Sequence, residues 1–235
     1  MLEAAFWGFI AASSLIAGAV VAFMVRIPDQ VLGLILAFGS GVLMSTVAFE
    51  LVSDSLGDAP RVGLYGLALG AGALTFYLGS VVLARRDGGE RGSRNQGSTI
   101  VLGTILDGIP ESVVLGLSLI AGPVSIPVLV AVFISNVPEA LGASADLMAA
   151  RMRRTRILAL WILVALASAA ASALGFVLLS GAPKEAVIMV QLYAGGAILA
   201  MLSESMAPEA YQKGGRAVGL ATALGFAVAA TLSAG

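Results

Sequence analysis

The 235-residue sequence has no histidine, no cysteine and few charged side chains. Without cysteine, a disulfide framework and a thiolate metal site are both excluded. Without histidine, the commonest protein ligand for zinc and copper is missing as well. Any metal chemistry in this chain therefore depends on oxygen ligands.

Charged residues make up only 11% of the chain, whereas hydrophobic residues make up 59%. A soluble domain carries roughly 25% charged residues, because its surface is in contact with water. The mean hydropathy of +0.99 indicates a surface that faces lipid. We therefore predict a single polytopic transmembrane domain over residues 1–235, with the lipid bilayer as a partner. The net charge of -1 gives no reason to expect a nucleic acid.

Apolar runs recur along the whole chain. A bilayer core about 30 Å thick needs roughly 20 apolar residues of helix. Polar or helix-breaking segments separate eight such runs, of which the least distinct break is Ala121-Gly122-Pro123. The pattern predicts an all-α membrane protein with eight transmembrane helices. The predicted spans are 3–25, 31–52, 62–84, 98–120, 124–148, 156–180, 186–207 and 216–234.

Basic residues are distributed unevenly between the connections. If eight spans alternate in direction, eleven of the 13 Lys and Arg residues fall on one side, and only Arg61 and Lys184 fall on the other. Positive residues concentrate on the cytoplasmic side of membrane proteins. Residues 85–97 and 151–156 are therefore expected in the cytosol, and both termini outside it. The acidic loop 54–58 is then external.

Two spans share a weak internal similarity. Glu50 follows Gly41 by nine residues in the second span, and Glu204 follows Gly195 by nine in the seventh. These spans run in opposite directions in the predicted topology, and inverted repeats are common in transporters. We predict an inverted repeat of helices 1–3 and 6–8 around helices 4 and 5. Chance similarity in a chain rich in alanine and glycine is the alternative.

Two related polar motifs lie near the middle of the fourth and fifth spans. Residues 107–112 read Asp-Gly-Ile-Pro-Glu-Ser, and residues 135–140 read Ser-Asn-Val-Pro-Glu-Ala. Ionisable groups at this depth are expensive, and they usually serve function. Each proline also frees the carbonyl four residues earlier, those of Leu106 and Ile134, which provides a further oxygen ligand.

Helical spacing places the polar side chains of each motif on one face. Three carboxylates crowded at mid-membrane repel one another unless they share protons or a cation. A divalent cation coordinated by their oxygen atoms would offset this repulsion. The alternative is a pair of kinked helices whose acids are protonated and hydrogen bonded to backbone. The predicted metal ligands are Asp107, Glu111, Ser135, Asn136 and Glu139.

Other acids and the tryptophans receive weaker assignments. Glu50, Asp146 and Glu204 are candidates for a pathway to and from the site. Asp146 is an equally good partner for the basic cluster that follows it. Trp7 and Trp161 are expected to anchor the membrane interface.

These residues resemble the ZIP (Zrt-, Irt-like) family of metal transporters, and its prokaryotic branch in particular, over essentially the whole chain. The family's signature is a His-Asn-x-Pro-Glu-Gly type motif on its fourth helix, with a related motif on the fifth. Segments 49–51 and 203–209 also resemble its conserved acidic segments. The resemblance implies eight helices, external termini and an inverted repeat flanking helices 4 and 5.

Several family ligand positions are retained. Glu111 and Glu139 match the glutamates of the two motifs. Asp107 falls where the family has histidine, Ser135 where it has histidine or glutamine, and Asn136 where it has aspartate or asparagine.

Two further positions depart from the family pattern. Gly108 stands where the family has asparagine, and Ser168 aligns with the glutamate of its sixth helix. The usual binuclear site is therefore depleted, and its second metal position is in doubt. The resemblance implies zinc transport, whereas the residues themselves favour Mn²⁺, Fe²⁺ or Mg²⁺.

The expected function is movement of divalent cations toward the cytosol across a plasma or bacterial inner membrane. The cation is the transported substrate, no prosthetic group or catalytic residue is expected, and a homodimer is left open. The alternative is a diverged or proton-coupled permease with another substrate. A membrane protease or lipid enzyme would need a His, Ser-Lys or Asp-Asp catalytic set; the chain has no histidine, and no lysine lies in the core of a span.

Overall fold

The computed structural model describes residues 1–53, 62–87 and 96–233, which are almost entirely helical and contain no strand. The predicted acidic external loop, the central part of the predicted basic loop at 88–95 and the last two residues lie outside this description. The all-α prediction is confirmed for the described residues.

Nine α-helices follow one another along the described chain. The helices are α1 Leu2–Met24, α2 Asp29–Thr46, α3 Val62–Asp87, α4 Gln96–Ala121, α5 Ile126–Ala149, α6 Arg154–Leu179, α7 Lys184–Met201, α8 Ala207–Gly214 and α9 Val218–Ser233. Eight of them agree with the predicted spans to within a few residues once the π-helical turns that continue α2 and α7 are included, whereas α8 falls in a predicted connection. The break between the fourth and fifth helices is present. Ser125 caps the fifth helix by accepting a hydrogen bond from the Val128 amide at 3.3 Å.

Two of the helices continue as wider π-helical turns. The segment Val47–Ser53 extends α2, and the segment Leu202–Met206 joins α7 to α8. Glu50 lies in the first and Glu204 in the second. Short π-helical insertions often mark functional positions, because they displace the register of a helix.

Seven described segments are long and apolar enough to cross a membrane. The last of them, Lys184–Ser233, has 50 residues, which is too long for one crossing. Its chain direction reverses at Gly215, whose φ of 64° is a left-handed conformation that glycine adopts readily. Both α8 and α9 pack against α2. The count of eight crossings stays a prediction.

The helices form two bundles. The first bundle contains α1, α4, α5 and α6, in which α1 packs on α5 and α6, and α4 packs on α6. The second bundle contains α2, α3, α7, α8 and α9, in which α2 packs on α8 and α9, and α3 packs on α7. The bundles meet mainly where α2 contacts α5 and where α4 contacts α7.

Glycines set the closest contacts of the second bundle. A Cβ atom on Gly41 or Gly225 would overlap backbone of the opposite helix in the α2–α9 pair. Gly72 and Gly196 do the same in the α3–α7 pair. Small residues allow such close packing, which is how helices associate in lipid.

The outer surface of the described residues is apolar. Leu178 on α6 is 75% exposed and Leu220 on α9 is 79% exposed. Apolar surface of this extent would aggregate in water, and it suits a multi-pass membrane protein.

Trp161 is buried inside the protein and has no surface with which to anchor a membrane interface, so that prediction is wrong. It is only 1% exposed, and its indole N–H donates a hydrogen bond to the Ser144 hydroxyl at 2.8 Å. Burial of the ring in the first bundle requires a partner for this N–H, and Ser144 on α5 provides it. Trp7 is partly buried and packs edge-on against Phe6.

Candidate functional site

Pro110 and Pro138 lie inside α4 and α5, as the two motifs predict. The helices are antiparallel, because only four residues separate them. They contact each other over a short stretch, since α4 packs chiefly on α6 and α5 chiefly on α1. The Ile134 carbonyl, which Pro138 leaves without its helical partner, lies close to Gly39 of α2.

A cavity of about 220 Å³ opens between the two kinked helices and the second bundle. Asp107 of α4 and Glu139 of α5 both line it, although they are distant in sequence. The Thr104 hydroxyl, one turn before Asp107, hydrogen bonds to Glu139. We call this space the carboxylate cavity. Its other polar lining residues are Asp146, Ser205 and Glu209.

The remaining predicted ligands lie behind the cavity wall. Glu111 is only 3% exposed and does not line the cavity. Ser135 is buried and donates its hydroxyl to the Val132 carbonyl at 3.1 Å. Asn136 is also buried.

The described residues contain no group of three or more acidic side chains arranged to hold a metal ion. This conformation therefore brings together two of the five predicted ligands around open space. The complete set of Asp107, Glu111, Ser135, Asn136 and Glu139 stays a prediction.

Asp146 lines the carboxylate cavity, as the pathway prediction expects. The charged groups that act on it are Lys213, Glu209 and Asp29 rather than the basic cluster at 151–156. Lys213 forms an ion pair with Glu209 at 2.9 Å. The i,i+4 spacing of Glu209 and Lys213 on α8 is the sequence signal that could have predicted this pair.

A second cavity of about 250 Å³ lies toward the other end of α4 and α5. Glu50 lines it, and its carboxylate accepts a hydrogen bond from the Ser125 hydroxyl at 2.9 Å. Ser118 and Gln191 add further polar atoms. We call this space the opposite cavity, and it places Glu50 where the pathway prediction requires it.

Glu204 lies elsewhere. It is exposed and accepts a hydrogen bond from the Ser80 hydroxyl of α3 at 2.7 Å. It lines neither the carboxylate cavity nor the opposite cavity. Its assignment to the pathway stays a prediction without structural support.

Buried side chains separate the two cavities. Both cavities are lined by α4, α5, the extended α2 and the α7–α8 segment, so they lie along the same four parts of the fold. The residues that lie between them along these helices include Leu43, Val47, Glu111, Ala131, Val132, Ala194 and Ile198, all of them buried. The path between the cavities is therefore closed in this conformation.

Gly108 and Ser168 are neighbours across the α4–α6 contact. The Ser168 hydroxyl lies 3.6 Å from the place that a Cβ of Gly108 would occupy. These two departures from the ZIP pattern thus lie next to each other, and neither side chain is an acid.

Comparison with known proteins adds nothing to this geometry. No protein-family model matches the chain, and no curated protein matches it.

Proposed function

We propose that the chain is a ZIP-like carrier that moves divalent metal cations across a membrane toward the cytosol. The observation that carries this proposal is the pair of cavities on opposite sides of a buried layer, with carboxylates in both. A carrier needs access from each side in turn and a charged site between them. Asp107 and Glu139 stand at the inner edge of one cavity, and Glu111 lies in the layer itself.

The helix contacts support an inverted repeat and eight crossings. If α1, α2 and α3 correspond to α6, α7 and α9, several of the main contacts have a counterpart, although the α2–α8 contact does not. The α2–α9 contact corresponds to α7–α3, and α1–α5 corresponds to α6–α4. Each pair has a close glycine contact, at Gly41 in α2–α9 and at Gly196 in α7–α3, one residue away from the register in which Glu50 corresponds to Glu204. Both glutamates lie in π-helical turns.

The oxygen-only site favours harder ions. Carboxylate, hydroxyl and amide oxygens suit Mn²⁺, Fe²⁺ and Mg²⁺, while imidazole and thiolate groups, which favour zinc, do not occur in the chain. The adjacent Gly108 and Ser168 contribute no carboxylate, so we propose one ion per site. Binding should weaken as the pH falls, because protons and cations compete for the same oxygens.

A proton-coupled permease is the second candidate. The lack of a three-acid cluster in the described residues favours it. In that case Asp107 and Glu139 would exchange protons during transport of another substrate.

Uptake into proteoliposomes distinguishes the two candidates. Purified protein is tested with Mn²⁺, Fe²⁺, Mg²⁺ and Zn²⁺, followed by metal analysis of the vesicles. We expect uptake of at least one ion that is lost in Glu139→Gln and retained in Glu185→Gln, an exposed acid at the start of α7. Uptake of none of the four, combined with proton flux that needs Glu139, would favour the permease.

A further inference from the structure

A third cavity, of about 600 Å³, lies at the end of the molecule where the chain passes from α1 to α2. It borders the carboxylate cavity, since Asp146 lines both. The carrier proposal gives it no role. Most of its lining side chains are apolar, among them Ala22, Phe23, Ile27, Leu141, Ala145 and Met148.

Three basic side chains also line this third cavity. Lys213 is already paired with Glu209. The Arg154 guanidinium lies 5.5 Å from the centre of the Phe23 ring, on which it is held by a cation–π contact. Arg26 comes from the α1–α2 connection. Within the described parts of the chain, neither arginine has a carboxylate partner.

Two acids line the cavity as well, and each has a neighbouring positive charge. Asp29 lies in the first turn of α2, where the positive end of the helix dipole offsets it. The charge of Lys213 acts on Asp146. Arg26 and Arg154 are therefore left with unused hydrogen-bond donors beside an apolar wall.

We propose that this cavity binds an anionic phospholipid. Arg26 and Arg154 bind the headgroup phosphate, because guanidinium groups donate to phosphate oxygens in pairs. An acyl chain lies along the apolar wall. Basic pockets between transmembrane helices on the cytoplasmic side commonly hold such headgroups, and the predicted topology places Arg26 and Arg154 on that side. This inference depends on the membrane setting, not on cation transport.

Thermal unfolding in a neutral detergent tests the proposal. Phosphatidylglycerol should raise the unfolding midpoint and remain bound in native mass spectrometry, whereas phosphatidylcholine with the same acyl chains should not. Arg26→Gln and Arg154→Gln should each weaken phosphatidylglycerol binding by about fivefold, as expected for one basic contact. Arg156→Gln and Arg216→Gln make the same charge change at nearby exposed sites outside the cavity, and they should bind normally.

Two further measurements distinguish binding of a phospholipid from binding of a soluble phosphate compound. Soluble glycerol phosphate should not stabilise the protein, because it has no acyl chain. Ala145→Phe, which fills the apolar wall, should weaken lipid binding even if the arginine variants fold poorly. Equal stabilisation by phosphatidylcholine or by glycerol phosphate overturns the proposal. So does equal weakening in all four arginine variants, which would indicate unspecific attraction to charge.

Discussion

Glu111 and Glu139 occupy the same place in two Pro-Glu motifs, yet their surroundings differ. Glu139 lines an open cavity with Asp107 and Thr104, whereas Glu111 is enclosed in the layer between the cavities. The difference arises from the neighbours of each helix. Both helices pack chiefly within the first bundle, α4 on α6 and α5 on α1, but α4 meets the second bundle through α7 and α5 meets it through α2.

A repeated motif therefore need not give two equivalent ligands in one conformation. A carrier that alternates between states has a reason for this asymmetry, because a site open to one side exposes only part of its ligand set. On this interpretation Glu111 joins Asp107 and Glu139 when the cavity closes around the ion.

The largest expected effect is that Glu111→Gln is as damaging as Glu139→Gln. Each change removes an anion that replaces ion hydration, and losing a buried charge interaction of about 3 kcal/mol lowers transport by about a hundredfold. Both variants should express at least as well as wild type, since an uncharged side chain is cheaper in lipid. Proteoliposome uptake is the measurement. Wild-type uptake by both variants would show that the carboxylates are structural.

Cysteine accessibility tests the difference in exposure directly, in a chain that has no native cysteine. Glu139→Cys should react with a small hydrophilic thiol reagent about tenfold faster or more than Glu111→Cys, because only position 139 faces the cavity. Gln212→Cys and Ala131→Cys give the exposed and buried limits. Equal rates at positions 111 and 139 would remove the distinction between them.

Asp107→Asn should reduce transport less, by about tenfold. Asp107 is at the edge of the cavity, where a water molecule or the Leu106 carbonyl can take its place. The measurement is proteoliposome uptake by Asp107→Asn, compared with uptake by Glu139→Gln. A loss as complete as that of Glu139→Gln would make Asp107 an equal partner in the site.

Gly72→Ala leaves every carboxylate unchanged but disturbs α7, which contributes Met201 to the carboxylate cavity. Its Cβ would overlap the Tyr193 backbone, and such overpacking lowers the free energy of unfolding by about 1–3 kcal/mol. Gly70→Ala is the matched control, since no atom lies within 4 Å of its Cβ position. Equal thermal stability of the two variants would contradict the close α3–α7 contact.

The smallest expected effect is in ion selectivity. A site with oxygen ligands alone should prefer Zn²⁺ over Mn²⁺ by less than about tenfold, because the large zinc preference of protein sites comes with imidazole and thiolate ligands. Equilibrium binding to the purified protein measures this ratio. A strong preference for Zn²⁺ would be incompatible with the oxygen-shell argument.

The positions of the long apolar helices could be predicted from the sequence to within a few residues. Hydropathy locates them because a helix in lipid must satisfy its own backbone and be apolar outside, which is a local property. The break at Ala121-Gly122-Pro123 could also be predicted, because glycine and proline are unfavourable inside a helix. The burial of Trp161 was not, since only its contact with Ser144 on another helix decides that it faces inward.

For the candidate site, the types of side chain could be predicted from the sequence, but their arrangement could not. Carboxylates and prolines at the middle of α4 and α5, and the lack of histidine, could be predicted from the sequence. Composition and residue spacing are read directly from the order of residues. Only the tertiary structure decided that Asp107 and Glu139 share a cavity, that Glu111 is enclosed, and that Glu204 turns toward Ser80. These outcomes depend on which helices pack together, and packing is set by contacts between residues far apart in sequence.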